Sequence, residues 1–134
     1  MGGLVQKQYG SSGISISVPN NEWVTANGRY HWAKKAKMTR ALRTRAKFLA
    51  KRDRLRVQVP TLLTVRVGYP TKARADMENA HPTVKALIDG LVDAGALPDD
   101  SSREIVATTW ERGPKCEKGT HMVELVFTSQ DVPF

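Results

Sequence analysis

The chain predicts an α+β fold: a single domain with a mixed β-sheet and helices packed on it. Three observations carry that expectation. Short segments alternate apolar and polar residues with the period of a strand, as in Ile14-Ser15-Ile16-Ser17-Val18. Between them lie two longer segments with helical periodicity and no internal proline after the first turn. With 134 residues, 40% of them apolar, the chain is sized for one domain with a modest core. The resulting order, approximately β-α-β-α-β-β, favours helices lying against a sheet.

Residues 1–13 are rich in Gly and Ser and read as a flexible N-terminal tail, leaving 14–134 as the domain. The strand Ile14–Val18 is broken by Pro19-Asn20-Asn21, and the following loop carries Asn27-Gly28 as a turn signal. That loop region also holds Trp23, Tyr30 and Trp32, which suit either core packing or stacking on bases. A helix is expected from about Ala33 to Arg54, with Met38, Leu42, Ala46 and Leu49 on its buried face. Thr61 to Val67 is β-branched-rich and reads as a strand ended by Gly68-Tyr69-Pro70. The second helix is the clearest element. Pro82 suits its first turn, and Val84, Leu87, Ile88, Leu91 and Val92 repeat at i, i+3, i+4, i+7 and i+8. Gly95 is placed to close it as a C′ residue. Two strands follow near Glu104–Glu111 and Thr120–Phe127, joined through Arg112 to Gly119 in what reads as an antiparallel hairpin. The first crossover is expected to leave the first two strands parallel.

The formal charge of +8 points to a polyanionic partner, nucleic acid first. It is unevenly spread. Residues 1–75 hold 16 Lys or Arg against 2 acids, whereas residues 76–134 hold 5 against 11. On the first helix ten cations accompany one acid, Asp53, and like charges four apart on a helix repel one another unless an anion compensates them. Lys34, Lys35, Lys37, Arg40, Arg43 and Lys47 are therefore expected to contact DNA phosphates, with Arg74 beside the acidic region. The single cysteine, Cys116, excludes an intrachain disulfide and a Cys-rich zinc site, and fits a reducing, cytoplasmic setting. No apolar run approaches a membrane span.

The acids of the second half concentrate around the second helix: Asp76 and Glu78 in the loop before it, Asp99 and Asp100 after it. Two carboxylates in a loop near a strand end suit Mg²⁺ or Mn²⁺, which prefer hard oxygen ligands. Four acids brought together repel each other and an approaching phosphodiester, and a divalent cation removes both difficulties. Lys85 and Asp89, four apart on the helix, are neighbours on one face. Lys85 suits pairing with Asp89 or stabilising charge on a phosphate. His81 reads as part of the start of the helix rather than a ligand, and His31 and His121 have no ligand spacing.

These motifs resemble a known family. The run Asp76-Met77-Glu78-Asn79, then Lys85-Ala86-Leu87-Ile88-Asp89, then Leu97-Pro98-Asp99-Asp100 looks like that of the RusA-like Holliday junction resolvases. These are small Mg²⁺-dependent endodeoxyribonucleases, often encoded by phages or prophages. The segment VPNNEWVTANGRYHWAKKAK from Val18 to Lys37 resembles the N-terminal region of actinobacterial and phage members. The resemblance implies that Asp76, Glu78 and Asp100 hold the metal, with Asp99 assisting. Lys85 then stabilises charge or assists proton transfer. It further implies a homodimer whose two sites nick opposed strands of a four-way junction, leaving 5′-phosphate and 3′-hydroxyl ends. Two departures stand out: Glu78 replaces the family's usual Asp, and Ala80-His81-Pro82 lengthen the stretch between Asn79 and Lys85. The alternative is a non-catalytic basic DNA-binding protein on the same fold, and a further rival is an assembly protein whose basic region binds another acidic macromolecule.

Overall fold

A computed structural model of the chain describes residues 11–130. Four strands and two helices alternate: β1 (Ser11–Pro19), α1 (Trp32–Arg52), β2 (Thr61–Gly68), α2 (His81–Asp93), β3 (Ile105–Arg112) and β4 (Thr120–Ser129). Short 3-10 turns, Asn20–Glu22 and Met77–Ala80, follow β1 and precede α2. The α+β expectation holds. Ser11–Gly13 belong to β1 rather than to the expected tail, and the rest of that tail lies outside the described residues.

The sheet order is β1-β4-β2-β3. β4 runs antiparallel to both β1 and β2, while β2 and β3 pair in parallel. This refines one expectation and corrects another. β1 and β2 do point the same way, but β4 lies between them. β3 and β4 run in opposite directions, yet β2 separates them, so Arg112 to Gly119 is a connection over a strand and not a hairpin turn. β2-α2-β3 is the pair of strands that a helical crossover joins directly.

Register explains the core. Leu63, Val65 and Val67 of β2 stand opposite Phe127, Leu125 and Val123 of β4, and Leu125 and Val123 in turn face Ile14 and Ile16 of β1. All eight side chains are buried on the face covered by the helices. α1 contributes Met38, Leu42, Ala46 and Ala50, and α2 contributes Val84, Leu87, Ile88 and Leu91. Leu49, expected on the buried face of α1, is only partly covered because Ala50 takes that position. The other sheet face carries exposed Ser15, Ser17 and Leu62. On it, Arg66 bridges Glu111 of β3 at 2.8 Å and Glu124 of β4 at 3.3 Å.

Two helix ends and one crossing set the position of α2. Gly95, at φ 78°, closes α2 with paired bonds from Gly95 N–H to the Val92 carbonyl and from Ala96 N–H to the Leu91 carbonyl. α1 ends in the same manner with a non-glycine, Arg54, at φ 54°. Where the helices cross, Gly90 lies so close to the Arg43 carbonyl and to Ala46 that a Cβ there would meet both. Glycine at position 90 is thus what lets α2 settle onto α1. At its other end α2 is held by Thr83, whose buried hydroxyl donates to the Val24 carbonyl and accepts from Val24 N–H, both at 2.8 Å.

Candidate functional site

Asp76 adopts an extended backbone and caps the 3-10 turn Met77–Ala80, its Oδ1 accepting from Glu78 N–H at 3.1 Å. That turn runs straight into α2 and rests against β3. Asp76 and Glu78 are both exposed. The turn is fastened from outside: Ala26 N–H donates to the Asn79 carbonyl at 2.9 Å. Farther back along the same loop, Arg112 donates to the carbonyls of Thr71 and Ala73, each at 2.7 Å, and lies 5.1 Å from the centre of the Tyr69 ring. Tyr69 in turn meets Trp23 and His121 edge-on, and those two rings stack at 4.0 Å. Burial holds the Tyr69 hydroxyl above its ordinary pKa and the His121 imidazole below its own.

One turn into α2, Lys85 joins the two acidic regions of the sequence. Its Nζ donates to Asp89 at 2.8 Å and to Asp100 at 2.6 Å. The first contact is the expected i,i+4 neighbour; the second is made by the chain doubling back after Gly95. The bond to Asp100, then that to Asp89, holds the Lys85 ammonium above the usual lysine range. Lys85 reciprocally holds Asp100 below the usual carboxylate range. Of the adjacent aspartates, Asp100 faces this site. Asp99 is exposed, and its Oδ1 accepts from Asp100 N–H at 2.8 Å, which fixes the backbone of the turn.

Lys85 and Asp100 stand on the rim of a cleft of about 470 Å³ between α2 and β3. Leu63, Val84 and Ile88 are apolar lining residues, and His81 and Trp110 bring aromatic rings to it. The cleft exists because β3 is an edge strand that extends past the cover of α2. Trp110 pairs in register with buried Val65, so it belongs to the helix side of the sheet yet remains only partly covered. Neither His81 as a lining residue nor Trp110 was evident beforehand. They are 29 positions apart and meet only through the parallel β2-α2-β3 crossover. The available signal was Trp110 as the one aromatic of its strand, set among Thr108, Thr109, Glu111 and Arg112.

Among the described residues, no three His, Cys, Asp or Glu side chains are grouped as a ready metal cage. Mg²⁺ seldom uses one; it keeps several waters and binds through one or two carboxylates together with substrate phosphate oxygens. The exposed carboxylates Asp76 and Glu78, and Asp100, which contacts Lys85 and neither of those two, have the donor chemistry for that mode. Asp100 is already neutralised by Lys85, so a cation binding there shares or displaces an internal one.

The cationic face of α1 is open. Lys34, Lys35, Lys37, Arg40 and Lys47 are exposed, and none of them forms an ion pair among the described residues. Arg43 differs: it makes a two-pronged pair with Asp93 of α2, at 2.5 and 2.8 Å, which commits its charge to the helix crossing. Arg45 is similarly engaged by Glu22 at 2.8 Å. Arg74 is exposed in the loop leading to Asp76. Of the three early aromatics, Trp23 is packed against His121 and Tyr30 bonds within its own loop, whereas Trp32 stands 77% exposed at the start of α1. No helix among the described residues is long and apolar enough to cross a membrane. No family model and no curated protein matches this chain.

Proposed function

We propose that the protein is a metal-dependent, structure-specific endodeoxyribonuclease acting on four-way or otherwise branched DNA, of the RusA-like resolvase type. The observation that carries the reading is the meeting of Lys85 with Asp100 at the head of the helix that Asp76 and Glu78 introduce. Residues 76, 78, 85 and 100 are those the family motif singles out, and a chance likeness of motif would not require Lys85 and Asp100 to be hydrogen-bonded.

On this reading Asp76 and Glu78 hold Mg²⁺ (or Mn²⁺), with Asp100 contributing and Asp99 supporting the turn. The bound cation supplies charge neutralisation at the scissile phosphate and acidifies an attacking water. The chain's own residues do the rest. Lys34, Lys35, Lys37, Arg40 and Lys47, with Arg74 nearer the acids, attract and hold the DNA arms through their phosphates. Lys85 stays protonated at neutral pH, so its part is electrostatic: it stabilises charge developing on the phosphate rather than accepting a proton. Asp89 keeps Lys85 oriented. Two copies working as a homodimer account for paired nicks in opposed strands.

Incubation with a synthetic four-way junction, with and without Mg²⁺, beside Asp76→Asn and Asp100→Asn, tests the reading. Metal-dependent paired nicks that vanish in both variants, with junction binding kept, are expected. Binding without any cutting would favour the non-catalytic alternative.

A further inference from the structure

We propose that the cleft between α2 and β3 captures a single unpaired nucleobase of the DNA, stacked on Trp110, beside the phosphate to be cut. This rests on the endonuclease reading and adds to it what part of the substrate the site grips.

The chemistry of the cleft is that of a flat, apolar ring with polar edges. Leu63, Val84 and Ile88 offer an apolar surface for a ring face. Trp110 and His81 form an open aromatic corner, their rings 6.3 Å apart and inclined at 54°. Around the rim the Lys85 ammonium can donate to a base edge, the Asp100 carboxylate can accept from one, and the Thr108 hydroxyl can do either. At about 470 Å³ the space is right for one small planar group and too small for a helix or a folded segment of another protein. Position supplies the remaining constraint. His81, which lines the cleft, follows Glu78 by three residues, so a nucleotide whose phosphate meets the acid pair has its base next to this corner.

Energetics favour a base that is already unstacked. Extruding one from an intact duplex costs a few kcal/mol, and the cost is least where pairing is already lost. A base at a branch point, where the stack is interrupted, is more readily freed than one inside linear duplex. The cleft therefore gives the site a physical means of preferring branched substrates, and the rim a means of preferring one base over another.

The test is a binding cycle in EDTA, where no cutting occurs. Four-way junctions carrying a single abasic position, moved stepwise around the branch point, are titrated with the wild-type protein and with Trp110→Ala and Trp110→Phe. Stacking one base on an aromatic ring is worth roughly 5- to 150-fold in affinity. Wild type and Trp110→Phe should each lose affinity within that range at one position and little elsewhere. Trp110→Ala should bind the intact junction correspondingly weaker and lose nothing further at that position. Circular dichroism confirms that each variant is folded, which the edge location of Trp110 favours. Losses that simply add, with Trp110→Ala as sensitive to the abasic position as wild type, overturn the base capture alone and leave the nuclease reading intact. Absence of junction binding by the wild-type protein overturns both.

Discussion

Gly90→Ala sets two opposed effects against each other, and the structure decides the sign. In an exposed helix, replacing glycine by alanine stabilises by about 1 kcal/mol through propensity alone. At position 90 the new methyl would be pressed against the Arg43 carbonyl and would stand 2.8 Å from the Ala46 Cβ. Neither obstacle is a side-chain tip that can rotate aside; one is backbone and the other is fixed to it. Relief requires α2 to lift from α1, and overpacking of this kind costs roughly 1–3 kcal/mol. Lifting also loosens Leu87 and Leu91, which are fully buried in the core. Because both obstacles are rigid, the cost falls in the upper part of that range, about 2–3 kcal/mol, so the net expectation is a loss of about 1–2 kcal/mol, which for a domain of this size lowers Tm by roughly 3–10 °C. Thermal and urea unfolding followed by circular dichroism measure it. Ala46→Gly should cost less in the Gly90→Ala background than in wild type, because there it also removes one of the two obstacles. An unchanged or higher Tm for Gly90→Ala would refute the close crossing and with it the stated position of α2.

Other expectations follow from the charged groups and one helix end. The Lys85–Asp100 pair combines a raised lysine with a depressed aspartate, so its contribution to stability is present across the neutral range. It fades as pH falls through the depressed Asp100 value, below about pH 4, and as pH rises through the raised Lys85 value, above about pH 10. The Tm difference between wild type and Lys85→Met should thus be flat from about pH 5 to 9, and a slope there would contradict the pairing. Junction affinity should fall steeply with salt, with a log–log slope of about −4 to −5 if Lys34, Lys35, Lys37, Arg40 and Lys47 each meet a phosphate. Replacing Arg40 and Lys47 together by alanine should flatten that slope by about 2, and an unaltered slope would place the DNA elsewhere. Arg54 ends α1 at φ 54°, where a side chain costs about 1 kcal/mol, so Arg54→Gly should raise stability by up to that amount in urea titration. A drop would mean the Arg54 side chain contributes more than its backbone costs.

Much of this was legible in the sequence because it is local. α2 announces itself through Pro82, the Val84-Leu87-Ile88-Leu91 spacing and Gly95, all features set within a few residues. The Lys85–Asp89 contact is likewise a matter of helical pitch. Strand order is not local. Alternation in Thr120–Phe127 shows that a strand has one buried face but not which neighbours it takes, and β4 slips between β1 and β2. Reading Arg112 to Gly119 as a hairpin followed from proximity in sequence, whereas Gly113 N–H donates to the Val67 carbonyl of β2. The same limit applies to the site. Arg43 looked like one more cation on α1, and only the helix crossing reveals Asp93 opposite it. Trp110, His81 and Arg112 gained their positions from a crossover and a loop that no spacing encodes. The acid motif itself was readable, and the Lys85–Asp100 bond is what the fold added to it.

The central claim is that the acids around α2 cut branched DNA, and one measurement tests it most directly. A labelled four-way junction is incubated with wild type, Asp76→Asn and Asp100→Asn, each with Mg²⁺ and with EDTA, and the products are resolved strand by strand. The account predicts symmetric, ligatable nicks for wild type with Mg²⁺ only, and binding without nicks for both variants. Cutting that persists in EDTA, or in both variants with Mg²⁺, would contradict it.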